Sequence, residues 1–232
     1  MSKNKYYLIL CCILHLFFSC KSTLNSVVQK TEVTAENKIE LINTSDIERI
    51  DDTTFVNIKD FNGNFMLDMK YATTDNFLKT KVYDCASCYL RFKTVRSLIA
   101  ANNEFKLKGF SIKIFDCYRP IDVQKEMWKL VPDANYVADP KKGSIHNRGG
   151  AVDITLIDKN GIELDMGTTF DFFGPESSHN YEKVFEEVKK NRAYLKQVML
   201  KNNFKSFDSE WWHYNLIDSQ KDAVANFKWK CD

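Results

Sequence analysis

Two stretches of the chain combine histidine and acidic residues at spacings that could build a metal site. His146 and Asp153 flank the pair Gly149-Gly150, and the apolar run over 151–157 alternates like a β-strand. On one straight strand, a separation of seven residues would send the two side chains to opposite faces. The glycines permit a turn that lets both point at one spot. An imidazole and a carboxylate that converge in this way suit a zinc ion.

A zinc site needs a third protein ligand, and the chain contains four histidines. His15 lies in a segment that we expect to be removed, whereas His213 follows Glu210 by three residues in an aromatic stretch. Zinc held by His146, Asp153 and His213 would keep a fourth position open for water, as in catalytic sites. Glu210 could then accept the proton of that water. Either stretch alone is more typical of a packed histidine or an aromatic core strand; the combination favours a metal site.

These motifs resemble the zinc peptidases that include D-alanyl-D-alanine dipeptidases, D-alanyl-D-alanine carboxypeptidases and the hedgehog fold. The pattern is Ser-x-His-x-x-Gly-x-Ala-x-Asp from Ser144 to Asp153, followed far downstream by Glu-x-x-His at Glu210 and His213. Three further stretches are similar to the VanX-type dipeptidase branch: 70–77, 116–120 and 166–172. The resemblance implies one Zn²⁺ per subunit and hydrolysis of the D-alanyl-D-alanine dipeptide to two D-alanines.

The remaining site residues are candidates for binding the substrate and its oxyanion. Arg119, at a strand-to-helix corner, would stabilise the oxyanion as its counterpart does in the resembled family; the alternative is a surface arginine that caps the corner. Asp171 is the candidate anchor for the free amine of a dipeptide, with Tyr71 assisting, although it could instead be a turn residue. Ser144 is the candidate partner of the substrate carboxylate. His179 is interpreted as a supporting or surface residue, not a ligand.

Composition favours one globular domain without a nucleic-acid partner. The 232 residues are 44% hydrophobic, which suits a single sizeable core. The net charge of +2 gives no case for binding nucleic acid or an acidic polymer. The oligomeric state is left open.

The N-terminal part is predicted to direct export. Residues 1–19 combine two early lysines with an apolar run that is too short to span a bilayer, as in a signal peptide. Cys20 would become the lipidated first residue of a lipoprotein; an ordinary secretory signal or an uncleaved anchor is the alternative. The polar stretch over 20–53 is predicted to be a flexible tether, and 54–232 the zinc D,D-dipeptidase domain. The protein is thus expected in the cell envelope, attached to a membrane through its lipid.

Four cysteines remain beyond the predicted signal: Cys85, Cys88, Cys117 and Cys231. In an oxidising envelope they predict up to two disulfides, with three possible connectivities. The Cys-x-x-Cys spacing of Cys85 and Cys88 also matches metal or redox sites, but structural bridging is favoured because no second such pair accompanies it. Cys117 adjoins the arginine corner and is the candidate for a free thiol near the site.

The elements that must position these residues are mixed, without a regular βαβ repeat, so the fold class is α+β. We expect a single compact domain with an antiparallel-rich central sheet flanked by helices, as in the resembled family. Glu210 and His213, three residues apart, would face opposite ways on a regular strand, so a bend or bulge is predicted at Glu210. Strands are predicted over 54–58, 110–115, 151–157, 204–207 and 211–216, and helices over 89–108, 120–130 and 181–199.

Two other functions stay open at this stage. One is a related carboxypeptidase that trims D-alanine from peptidoglycan stems; a charged anchor for a free amine argues against it. The other is a zinc-bearing envelope protein that binds a ligand without turnover; the presence of both Glu210 and Arg119 argues for turnover. For an exported enzyme, scavenging of D-alanine from cell-wall dipeptides is the physiological hypothesis that fits the location.

Overall fold

The computed structural model describes residues 50–134 and 136–231. The predicted signal segment, Cys20 and nearly all of the predicted tether therefore lie outside the described residues. Within the described part, every helix is too short or too polar to cross a bilayer.

Short strands and three helices make up the regular structure of the described residues. The strands are β1 (Phe55–Asn57), β2 (Met66–Leu67), β3 (Tyr89–Arg91), β4 (Ser111–Asp116), β5 (Ala151–Ile157), β6 (Phe204–Phe207) and β7 (Glu210–Leu216). The helices are α1 (Phe92–Lys106), α2 (Ile121–Leu130) and α3 (Glu186–Lys201).

A five-stranded sheet in the order β2-β4-β5-β7-β6 forms the centre of the fold. Only the short β2 runs parallel to its neighbour, and the other pairs within this sheet are antiparallel. Strands β1 and β3 form a separate antiparallel pair. Helices α1 and α3 contact each other and pack against β4 and β6, respectively. The predicted α+β class and antiparallel-rich sheet are confirmed.

Strand β5 is the middle strand, and all seven of its residues are buried. Its β-branched residues suit a pleated surface that is covered on both sides. Its charged residue is Asp153, which pairs with Asp116 of β4 on one side and with His213 of β7 on the other. Because opposite residues on antiparallel strands lie about 5 Å apart, the sheet register alone brings three titratable side chains into one row.

The paired glycines before β5 form the predicted turn. Gly149 has a φ of 69°, in the left-handed region that favours glycine. A Cβ atom on Gly149 would lie 2.2 Å from the ring of Phe55, and one on Gly150 would lie 2.3 Å from Ser219. The turn thus needs glycine both for its backbone conformation and for close packing, and it carries His146 back over the start of β5.

Two predicted helices begin later than expected. Tyr89–Arg91 is a strand that pairs with β1, because this backbone finds partners there before α1 begins at Phe92. Helix α3 begins at Glu186, and Phe185, which we predicted to lie within the helix, precedes it and is 84% exposed. Leu98 of α1 and Leu195 of α3 are fully buried, and each contributes about 1.5–3 kcal/mol by its burial.

The cysteines form two disulfides, Cys85–Cys231 and Cys88–Cys117. The prediction of two structural bridges is confirmed. The expectation that Cys117 is a free thiol is wrong, because the end of β4 lies beside Cys88 at the start of β3. Each member of the Cys-x-x-Cys pair therefore bonds a distant partner and not a metal.

Residues 222–231, the C-terminal segment, run beneath the turns that carry the site. Ala225 donates its backbone N–H to the carbonyl of Asn147 at 2.8 Å, and its own carbonyl accepts from Ile121. Phe227 stacks on Tyr118 with ring centroids 4.6 Å apart. The segment therefore contacts both the turn around His146 and the corner before α2.

Candidate active site

One cleft of about 390 Å³ is lined by all eight residues that the sequence singled out. They come from β5, β7, the corner before α2, the turn before β5, and two loops: Tyr71, Arg119, Ser144, His146, Asp153, Asp171, Glu210 and His213. Residues that are more than 140 positions apart in the chain thus share a single cavity.

Three of these side chains converge on one point in the cleft. Nε2 of His146 lies 3.2 Å from Nδ1 of His213 and 3.5 Å from Oδ2 of Asp153. Nδ1 of His213 lies 2.9 Å from Oδ1 of Asp153. His146 is in the turn before β5, whereas Asp153 and His213 are register partners on adjacent strands.

Backbone and side-chain acceptors fix the orientation of both imidazoles. Nδ1 of His146 donates to the carbonyl of Cys117 at 2.6 Å, which leaves Nε2 directed at the other two groups. Nε2 of His213 lies 2.9 Å from Oδ1 of Asn215, which leaves Nδ1 directed at the same point. Metal-ligating histidines are typically held in this way by a hydrogen bond to the second ring nitrogen.

The donor set fits zinc. Tetrahedral ligands at about 2.0–2.1 Å from Zn²⁺ lie about 3.3 Å from one another, close to the separations of 2.9–3.5 Å found here. Burial opposes the ionisation of Asp153, but His146 and His213 outweigh it and hold the pKa of Asp153 below its ordinary value. Burial alone would lower the pKa of His213. The hydrogen bond to Asp153 and its charge outweigh burial and raise this pKa to about 9. Asp153 is thus a carboxylate next to two imidazoles. A cation bound to all three groups would replace the proton that they share.

Glu210 reaches the same centre from the first position of β7. The β6–β7 register shifts between Ser206 and Phe207, so Glu210 pairs with Phe207 outside the regular ladder. On a regular strand, the three-residue spacing would place Glu210 and His213 on opposite faces. The irregularity lets both face the cleft and brings Oε2 of Glu210 to 3.9 Å from Nδ1 of His213. Burial is the main cause that raises the pKa of Glu210, with Asp153 adding to it. A carboxylate in this position can accept a proton near the three converging side chains.

Arg119 is buried in the cleft wall, not on the surface. Its Nη2 donates to Oδ2 of Asp116 at 2.6 Å and its Nη1 donates to Oε1 of Gln124 at 2.9 Å. Burial disfavours its charge, but Asp116 outweighs this and raises the pKa of Arg119 well above its ordinary value. A guanidinium has five N–H groups, so these two bonds leave donors for a ligand.

Asp171 and Tyr71 also line the cleft and contact each other. The hydroxyl of Tyr71 donates to both carboxylate oxygens of Asp171, at 3.1 and 3.2 Å. Asp171 has a φ of 58°, a conformation in which Asp and Asn are enriched among non-glycine residues. Burial and the negative charge of Asp153 raise the pKa of Asp171 well above its ordinary range. A bound cation would relieve this burial of negative charge.

Ser144 and His179, which the sequence also drew attention to, differ in their position relative to the cleft. The hydroxyl of Ser144 lies at the cleft and is within 3.2 Å of Oδ1 of Asn147. His179 lies outside the lining of this cleft, and its ring packs against Tyr214 at a centroid distance of 6.1 Å.

Three polar residues that hold the site together were not assigned roles from the sequence. Asp116 and Gln124 position Arg119, and Asn215 positions His213. Asn215 follows His213 by two residues, so strand alternation places both on one face and could have indicated the contact. Gln124 carries no comparable signal, because its partner depends on how α2 packs.

Comparison with known proteins places most of the chain in one group. The family model of peptidase M15, described as D-Ala-D-Ala dipeptidase, matches residues 51–229. A D-alanyl-D-alanine dipeptidase of Escherichia coli K12 is 34% identical over 181 residues, which cover 78% of this chain and 94% of that protein. Dipeptidases of the same name from Enterococcus faecium and Enterococcus faecalis are 30% and 31% identical, over 65% and 69% of this chain and 85% and 90% of theirs.

Proposed function

Because this chain belongs to the peptidase M15 family of D-Ala-D-Ala dipeptidases, we propose that it is a zinc-dependent enzyme that hydrolyses D-alanyl-D-alanine to two D-alanines. The observation that carries the proposal is the layout of the cleft. The three-residue ligand set, Glu210 and the partly buried carboxylate of Asp171 all line one cleft. A short substrate with a free amine would contact both the ligand set and Asp171 there.

His146, Asp153 and His213 would hold the Zn²⁺. When bound there, zinc supplies Lewis-acid polarisation of the scissile carbonyl and lowers the pKa of water. Asn215 and the carbonyl of Cys117 keep the two imidazoles turned towards it. The fixed ring orientations limit the rearrangement that loading requires.

Glu210 acts as the general base and then as the general acid. Its carboxylate takes a proton from the water that attacks the amide carbon and passes this proton to the leaving amine. Its raised pKa makes it a stronger base than an exposed glutamate. Arg119 donates N–H groups to the oxygen on which negative charge develops, and its buried setting strengthens that interaction.

Asp171 binds the substrate ammonium, and the hydroxyl of Tyr71 holds the carboxylate in place. Ser144 provides a hydroxyl for the substrate carboxylate. Phe173, two residues after Asp171, contacts Tyr136 with ring centroids 4.6 Å apart, and both rings line the cleft. A charged anchor for a free amine beside these rings favours a dipeptide over a long stem.

The test is a substrate panel combined with metal content. The purified domain is assayed on D-alanyl-D-alanine, an N-acetylated dipeptide and a stem pentapeptide, and its zinc is measured. We expect hydrolysis of the free dipeptide alone. Hydrolysis of the pentapeptide but not the dipeptide would favour a carboxypeptidase, and zinc without any hydrolysis would favour a binding protein.

Two variants separate the roles of base and ligand. Glu210→Ala should retain zinc and lose hydrolysis, because the base does not hold the metal. His213→Ala should lose both, since it removes one of three ligands. Full activity in Glu210→Ala would refute the assigned base.

We also propose that the protein acts in the cell envelope, with a lipid on Cys20 as its membrane anchor. The signal-like composition of residues 1–19 and the two disulfides, which favour an oxidising compartment, support this. In cells, Cys20→Ser should abolish incorporation of a fatty-acid label. Equal labelling of parent and variant would argue against the anchor.

In that location, the enzyme would recover D-alanine from dipeptides released by the cell wall. Growth on D-alanyl-D-alanine as the source of D-alanine, with and without the gene, tests this role. Equal growth of both strains would count against scavenging.

A further inference from the structure

The Cys88–Cys117 disulfide lies where the small sheet meets the large one. Cys88 directly precedes β3 and Cys117 directly follows β4, and both are fully buried. The bond therefore ties the start of β3 to the corner that leads to Arg119. Neither cysteine has a role in the proposed reaction.

The backbone of Cys117 contacts the metal-binding turn directly. Its carbonyl accepts the hydrogen bond from Nδ1 of His146 at 2.6 Å, and this bond sets the plane of the imidazole. In the opposite direction, the backbone N–H of Arg119 donates to the carbonyl of His146 at 3.1 Å. The corner and the turn thus hold each other through two bonds, one on each side of Tyr118.

The ladder of the central sheet does not extend to this carbonyl. The register of β4 against β5 shifts between Ile114 and Asp116, and the last pair is Asp116 with Asp153. Beyond it, Tyr118 donates to the carbonyl of Tyr89, the residue that follows Cys88. The position of Cys117 is therefore set by its attachment to the start of β3, where the disulfide is the covalent link.

We propose that the Cys88–Cys117 disulfide is a positioning element of the metal centre. It holds the carbonyl that orients His146 and the corner that carries Arg119, so it sets metal affinity and turnover together. The kinetic part of this inference rests on the proposed function; the effect on zinc affinity does not.

The second disulfide provides a matched control. Cys85–Cys231 starts from the same Cys-x-x-Cys segment, but it links residues 146 apart, against 29 for Cys88–Cys117. In the chain-entropy model, removing the disulfide that closes the longer loop destabilises the fold more. The C-terminal segment keeps its contacts to the site turns without that bond, since Phe227 stacks on Tyr118 and Ala225 bonds to Asn147. The control should therefore lose more stability but less function.

The experiment compares Cys88→Ala/Cys117→Ala with Cys85→Ala/Cys231→Ala at a temperature where circular dichroism shows both to be folded. Zinc affinity is measured by competition with a chromophoric chelator, and kcat and KM are measured on D-alanyl-D-alanine. Loss of an outer partner of a metal-bound histidine lowers affinity or activity about 10- to 100-fold. We expect losses of that size in zinc affinity and kcat for the first pair, with little change in KM, and no comparable loss for the control.

Either of two results would overturn the proposal: unchanged zinc affinity and kcat in the first pair, or equal losses in both pairs. If the alanine pair does not fold, Cys88→Val/Cys117→Ala returns volume to the buried position and repeats the test. If the parent protein does not hydrolyse the dipeptide, the proposed function fails, and the zinc affinities of the two pairs still decide the positioning role.

Discussion

Replacement of Asp116 by asparagine tests how strongly the cleft depends on a buried charge pair. The carboxylate of Asp116 is fully buried, and it accepts from Nη2 of Arg119 at 2.6 Å and from the hydroxyl of Tyr83 at 2.7 Å. Asp116→Asn keeps the size of the side chain but removes the negative charge. Arg119, which is 7% exposed, then exchanges its charged partner for neutral ones, such as the amide of Gln124.

The expected loss of stability follows from this burial. Removing one partner of a buried ion pair costs about 3–5 kcal/mol, because the other charge stays desolvated without compensation. For a domain of this size, each kcal/mol lowers Tm by about 2–4 °C, so we expect a fall of about 6–20 °C. Turnover should fall as well, since Arg119 loses the partner that holds it at the cleft wall.

The assay is urea or thermal unfolding of the disulfide-intact domain, followed by kcat on the dipeptide. Glu186→Gln is the matched control. Glu186 and Lys189 form a pair with the same three-residue spacing as Asp116 and Arg119, but its members are exposed, so the unfolding midpoint should not change. A midpoint for Asp116→Asn as high as that of the control would refute the reasoning that this charge pair holds the site.

Three further outcomes are expected. Asp171→Asn should raise KM for the dipeptide about 10- to 150-fold, the equivalent of about 1.5–3 kcal/mol for a hydrogen bond to a charged group. It should also unfold no more easily at neutral pH, because burial and Asp153 disfavour the ionised carboxylate; an unchanged KM would contradict the amine anchor. Burial and Lys196 lower the pKa of His179 to about 4, so its contribution to stability is lost as pH falls from about 6.5 towards 4. Unfolding free energies at about pH 7 and about pH 5 should therefore differ more in the parent than in His179→Gln, and equal differences would contradict this. A chelator should lower both Tm and activity, and zinc should restore both; an unchanged Tm would argue against a metal bound to the folded state.

The sequence predicted the parts of the site that depend on local geometry. His146 and Asp153 belong to one turn and strand, and the glycines between them indicated the reversal that the structure contains. Strand parity at Glu210 and His213 required an irregularity, and the register shift of β6 against β7 provides it. These inferences worked because each concerns residues within seven positions of one another.

The sequence did not predict features that depend on distant packing. Periodicity favoured a helix at Tyr89, but pairing with β1 makes Tyr89–Arg91 a strand. Four cysteines allow three connectivities, and only the meeting of β3 with β4 selects Cys117 for Cys88. The role of Gln124 likewise depends on where α2 places its amide relative to Arg119.

The C-terminal segment is synthesised last, and this affects when the site can form. Ala225 bonds to Asn147 in one site turn and to Ile121 at the other, and Cys231 closes onto Cys85. Ribosomal synthesis delivers these residues after His146, Asp153 and His213, the proposed metal ligands. We therefore expect a nascent chain to remain inactive until this stretch has been synthesised, so that hydrolysis begins only once the whole domain is present.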